Sequence, residues 1–285
     1  MSFHVMRGEF RVLGASPDGD SVRFAPDDPE AFAAARMRVR LNTAGAVQLR
    51  LDGIDALETH YTPPKGGMVT HQPLDLADAA ADELLTILGF EEVVRDARRR
   101  VTEATPVTTR GWIATRFADR YGRAIAFAFG GEPPFAGTRR FITADHVAAS
   151  ANAHLLRTGL AYPTFYSLLF TDLRAELRAA SETARTERLG VWDRDVTTSG
   201  FELTDQLHLA DELVMMPKLF RRLAEYLAGA DGVDLSYFEA FLAGHGDDVL
   251  VLPDGHRTWF GALLEVEGAW VRLTPDIADL VFFEE

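Results

Sequence analysis

The stretch from Val47 to Glu58 constrains this chain more than any other. Val47, Leu49 and Leu51 alternate with Gln48, Arg50 and Asp52, the period of two that gives a strand one apolar and one polar face. Gly53 then breaks the alternation, as a bulge or sharp bend does. Beyond it Asp55 and Glu58 are three residues apart, so one helical turn sets both carboxylates on the same side. An arginine and two acids where a strand ends suit a site that meets a cation and an anion together. The plainer alternative is a strand followed by a solvated acidic turn.

Composition narrows the classes. With 285 residues, 47% hydrophobic and 25% charged, the chain has apolar mass for one large domain or two ordinary ones. It holds no cysteine, which excludes disulfides, thiolate metal sites and cysteine nucleophiles. The beginning carries no apolar run of signal-peptide length and no later stretch is long enough to span a membrane, so a soluble, cytoplasmic protein is expected. A net charge of −14 argues against non-specific nucleic-acid binding, but that charge is unevenly placed. From Gly200 onward 17 acids face 5 bases, a balance of −12 that leaves only −2 for the first 199 residues, where most arginines lie.

Along the chain, residues 8–24 read as two short strands around Asp18-Gly19, with Asp20 just past the turn. Pro29 and Glu30 ahead of an alanine-rich run predict one or two helical turns in an inserted connection. Residues 59–73, including His60 and His71, read as an irregular loop. A helix follows over about 74–88, ended by Gly89. Residues 108–118 and 124–130 read as a hairpin whose turn is Asp119-Arg120-Tyr121-Gly122-Arg123. A second helix is expected near 150–158 behind Ser150 as N-cap, then an extended aromatic segment over 160–166, then a third helix from Thr171 to Gly190. Thr197 to Gly200 reads as a linker. The segment beyond it has helices at 217–228 and 235–243, a strand at 249–252, turns at Asp254-Gly255 and Glu267-Gly268, and no chemical motif.

Short antiparallel strands with helices at separate points suggest a small Greek-key barrel carrying packed helices. At this point the chain resembles the staphylococcal (thermonuclease) nuclease family. The likeness lies in Asp18-Gly19-Asp20-Ser21-Val22, Arg50 through Glu58, Asp119 through Arg123, Leu156-Arg157-Thr158-Gly159-Leu160-Ala161-Tyr162, and Arg188-Leu189-Gly190-Val191-Trp192, in that order across about 8–195. It implies a five-stranded OB-fold barrel with three packed helices over 1–196; with the linker at 197–200 and a small acidic α+β domain over 201–285 read from the residues, the expected fold class is α+β. It also implies cleavage of DNA or RNA, single strands favoured, with Ca²⁺, leaving 3′-phosphates. By the same resemblance Asp20, Asp55 and the backbone carbonyl of Ala56 hold calcium, and Glu58 takes a proton from water or orients it. Arg50 and Arg123 bind phosphate, and Arg120, Tyr121, Phe165 and Tyr166 contact substrate. The pattern departs at Ala56, at Leu57 where the family has proline, and at Phe165, which lacks a phosphate-contacting hydroxyl but can stack on a base.

The residues themselves support that chemistry. Crowded carboxylates raise one another's pKa unless a cation compensates, calcium accepts oxygen donors in flexible geometry, and each guanidinium offers a planar fork to phosphate. The competing expectation is a catalytically weakened OB-fold that binds nucleic acid or protein. In either case the acidic C-terminal region could act as a regulatory or partner-binding element, for instance by covering a basic cleft as a nucleic-acid mimic.

Overall fold

The computed structural model describes residues 2–283 except Lys65, Asp231 and Pro253, and its fold is mixed α+β. Five strands carry the first core: Phe3–Arg11, Arg23–Pro26, Val47–Leu51, Thr108–Ala118 and Ala124–Gly130. The first pairs antiparallel with both the second and the fourth. The second pairs with the third, the third runs parallel to the fifth, and the fifth closes antiparallel on the fourth. The pairings therefore form a closed circuit. Inside it the inward alternation of Val47, Leu49 and Leu51, each at most 1% exposed, leaves Arg50 facing the rim. The turn Asp119–Arg123 joins the fourth and fifth strands, with Gly122 at φ 82°, as expected for a tight hairpin.

Helices lie against this circuit at Leu74–Ile87, Ala144–Ala148, Ala151–Arg157 and Thr171–Thr186. The second expected helix is Ala151–Arg157, which Ser150 caps by accepting the Ala153 N–H at 3.2 Å, and Ala144–Ala148 is a short helix ahead of it that was not expected. The expected helical insertion is a single turn, Ala31–Ala34. Between the first helix and the fourth strand, Glu92–Arg95 and Val101–Thr105 form a further hairpin.

After Gly200 the helices Gln206–Asp211, Pro217–Leu227 and Phe238–Ala243 precede strands at Asp248–Val251, His256–Trp259, Leu264–Glu267, Trp270–Leu273 and Leu280–Phe282. Leu280–Phe282 runs parallel to Phe165–Tyr166 and antiparallel to Asp248–Val251, so one sheet draws strands from both sides of residues 197–200. A second hydrophobic cluster does the same, joining Leu57, Tyr162 and Trp192 to Phe220, Leu223, Phe260 and Phe282. Thr197 is itself buried; its hydroxyl donates to Asp195 at 2.5 Å and accepts the Met216 N–H at 2.9 Å. Among the described residues no helix is long and apolar enough to cross a membrane.

Candidate active site

Backbone geometry delivers the acids. The Asp18–Ser21 turn lies against the strand that holds Arg50: Leu49 N–H donates to the Val22 carbonyl and Leu51 N–H to that of Asp20, each at 2.8 Å. Gly19 is required there, because a β-carbon at that position would stand 2.6 Å from those of Ala56 and Ala80. Gly53 makes the bend after the strand at φ 78°, against Leu177, a backbone state that glycine reaches without penalty. Buried Asn152 pins the bend from the far side. Its Nδ2 donates to the carbonyls of Asp52 and Ala126 at 2.8 and 3.1 Å, and its Oδ1 accepts the Ala128 N–H at 3.1 Å. Ile54–Asp55 then pairs with Tyr162–Pro163. Asp20, Arg50, Asp55 and Glu58 consequently meet at one rim.

Arg50 donates to Asp20 and, at 2.8 Å, to Asp55 Oδ1. The Ala56 N–H donates to Asp20 Oδ2 at 3.2 Å, so the Ala56 contact is made through its amide. Glu58 is held by Gln72, whose Oε1 accepts the Glu58 N–H at 3.3 Å and whose own N–H donates to the Glu58 carbonyl at 2.8 Å.

The remaining charge comes from the C-terminal helix Pro217–Leu227. Arg221 grips Asp55 with both terminal nitrogens, Nη1 to Oδ1 at 3.2 Å and Nη2 to Oδ2 at 2.8 Å, while Nη1 also donates to Glu58 Oε1 at 2.6 Å. Its neighbours on that face anchor the helix. Lys218 meets Asp247 at 2.8 Å, Arg222 meets Asp247 at 2.7 Å and Glu225 at 3.1 Å, and Glu225 also takes Tyr61 and His245. Gln72 bridges both partners of the contact, because its Nε2 donates to the Met215 carbonyl at 2.8 Å, just ahead of the helix.

Burial and charge pull these groups apart in pKa. Burial works against ionising Asp55, yet Arg221 and then Arg50 outweigh it and hold the carboxyl at about 2. Asp20 is pushed up to about 7 by burial, with Asp18 and Asp55 adding to it and Arg50 opposing. Glu58 is raised chiefly by burial, with Arg221 pulling the other way. Asp18, raised by burial and by Glu58, accepts the Ser21 hydroxyl at 2.5 Å.

The other expected site residues divide. Arg123 is spent on Asp119, Nε to Oδ2 at 2.7 Å; it stands outside the carboxylate cluster, though within electrostatic reach of Asp18. Tyr121 is exposed on the same turn, its hydroxyl accepting from Arg120 at 2.8 Å. Tyr166 is half-buried and near enough to Arg50 to bear on its charge. Phe165 is a correction: it is fully buried, in register with Val281, so its ring is core and offers no face to a base. Leu57 is fully buried in the cluster built mainly by the C-terminal segment. An apolar side chain in that turn therefore serves docking. At this rim it is a cation of the acidic region, Arg221, that meets the acids.

Calcium does not fit this arrangement. Among the described residues no group of three or more His, Asp or Glu side chains is set to hold a metal ion. Asp20 and Asp55 have the hard oxygens such an ion needs, but both oxygens of Asp55 and one of Asp20 already accept from guanidinium or amide donors. Arg221 lies where positive charge is called for.

A circuit of strands gathers acids and arginines at one rim, flanked by helices, in an α+β protein. Residues 48–194 match the staphylococcal nuclease homologue family. That is just over half of the 285 residues, and the chain belongs to this family of nucleases and nucleic-acid-binding proteins. No curated protein matches the sequence.

Arg221, Gln72 and Asn152 escape a reading by local pattern. One signal for Arg221 was available: Lys218, Arg221 and Arg222 are three of the five cations in the acidic segment and share one helical face.

Proposed function

We propose that the protein hydrolyses phosphodiester bonds of DNA or RNA at Asp20, Arg50, Asp55 and Glu58, and that Arg221 holds this centre inactive until it is displaced. The observation that carries the proposal is the fork of Arg221 on Asp55 with its further bond to Glu58. A carboxylate bound to a guanidinium is a poor base, and the ion pair fills the room an attacking water needs. With Arg221 withdrawn, burial leaves Glu58 a better proton acceptor than a solvated carboxylate. Arg50 can turn its fork to the phosphate oxygens. A water then gives its proton to Glu58 and attacks phosphorus, and the P–O5′ bond breaks. A 3′-phosphate remains, together with a 5′-hydroxyl that takes its proton from solvent. Calcium enters the proposal only as a competitor of Arg221 for Asp55.

The same contact supports a second reading, a module that binds nucleic acid without cutting it because the latch never opens. Digestion of single-stranded DNA separates the two, with calcium or chelator, using wild type, Arg221→Ala and Arg221→Ala/Glu58→Gln. Hydrolysis predicts that Arg221→Ala cuts faster than wild type and that adding Glu58→Gln lowers the rate by about 10²–10⁴. An Arg221→Ala protein that is folded yet never cuts supports the binding module.

A further inference from the structure

A second concentration of positive charge lies outside this centre and ahead of the family match, which begins at residue 48. After the Ala31–Ala34 turn the chain runs Arg36-Met37-Arg38-Val39-Arg40. Met37 is buried and Val39 partly so, both packed on the first core, while Arg36, Arg38 and Arg40 are exposed. Arg36 ends the turn at φ 58°, and from there to Arg40 the exposed arginines alternate with apolar residues held on the core. The segment is tied to the hairpin turn by the Arg40 N–H, which donates to the Gly122 carbonyl at 2.8 Å. Between the two runs an open cleft of about 650 Å³ that Arg116, Arg120 and Tyr121 also line. Its one acid, Asp119, is already engaged by Arg123. Among the described residues Arg36, Arg38 and Arg40 meet no carboxylate, and no part of the acidic C-terminal segment lines the cleft.

We propose that this arginine arm, Arg36, Arg38 and Arg40 with the hairpin tip, is a binding track for the phosphodiester backbone of single-stranded nucleic acid. Three exposed guanidiniums on one short segment can each take a phosphate oxygen. Exposed Tyr121, with the Arg120 and Arg123 guanidiniums 5.0 and 5.6 Å from its ring, supplies a stacking face for a base. Arg123 closes the same turn, within electrostatic reach of Asp18. The proposal rests on the nuclease reading only in placing the track upstream of a cutting site.

The test is anisotropy of a labelled oligothymidylate on the full chain in chelator, over a range of salt. Wild type, Arg36→Gln/Arg38→Gln/Arg40→Gln and Tyr121→Ala are compared, with thermal melts to confirm that each is folded. The triple variant should flatten the slope of log affinity against log salt by about 2, at about 0.7 per lost phosphate contact. Tyr121→Ala should weaken binding roughly five- to hundredfold with the slope unchanged. Wild type that does not bind, or a triple variant with the wild-type slope, overturns the proposal. So does displacement of the oligonucleotide by polyglutamate at equal charge concentration, which marks a track for acidic polypeptides. Wild-type binding with the expected losses leaves the track standing whether or not Arg221→Ala cuts, so the track and the nuclease reading fail separately.

Discussion

Replacing Arg221 with alanine deletes three hydrogen bonds to the buried carboxylate of Asp55 and the part-buried one of Glu58, and the consequences for stability and activity run in opposite directions. Asp55 is fully buried and, of its two guanidinium partners, keeps Arg50, at 2.8 Å. Removing one partner of a buried ion pair costs roughly 3–5 kcal/mol. Arg50 remains, and the Arg221 side chain is 22% exposed, so the lower end, about 3 kcal/mol, is expected. A urea titration reads this as a lower midpoint with little change in slope. The Asp55 carboxyl should rise from about 2, since Arg221 is the larger of the two cations holding it down. If that same free energy keeps the centre closed, about 3 kcal/mol corresponds to roughly two decades in the population of open centres. Cleavage of a fluorogenic single-stranded oligonucleotide should then accelerate by up to about a hundredfold. Arg221→Lys, which keeps the charge but not the fork, should fall between wild type and alanine in both measurements. A folded Arg221→Ala protein cutting no faster than wild type, at any calcium concentration, refutes the latch.

The pH dependence of stability should show two opposed groups. Asp20 titrates at about 7 in the folded chain against 3.8 unfolded, so its contribution is complete below pH 4 and is lost as pH rises to about 7. Asp55, at about 2 against 3.8, contributes above pH 4 and loses its contribution as pH falls toward 2. Denaturation midpoints of Asp20→Asn should accordingly decline less between pH 4 and 7 than those of wild type; an unaltered decline refutes the assignment. Leu57→Ala should cost about 2–5 kcal/mol, as a large-to-small change in a closed cluster does, and calorimetry would detect it as a lower Tm. A near-neutral result would mean that Leu57 does not anchor the C-terminal segment.

Much of the centre was legible before any contact was known. The alternation of 47–51, the break at Gly53 and the Asp119–Arg123 turn depend on near neighbours, and period and glycine placement report these directly. The same is true of the helices at 74–87 and 171–186. Asp20, Arg50, Asp55 and Glu58 carry the family pattern and do converge. Phe165 was misjudged because an aromatic in an extended run looks the same whether it faces solvent or, as here, backs onto a strand more than a hundred residues later.

The local sequence of this chain determined the strand, bend and turns that carry Asp20, Arg50, Asp55 and Glu58, because each is specified over a few residues. Which groups those side chains meet was decided by the tertiary structure alone. Arg221 reaches Asp55 across 166 residues of chain, and Gln72 reaches Met215 across 143. Such contacts depend on how two apolar clusters pack and on the desolvation that follows. Burial then makes one guanidinium the counter-charge of two acids, a pairing that solvent would have screened on an exposed surface.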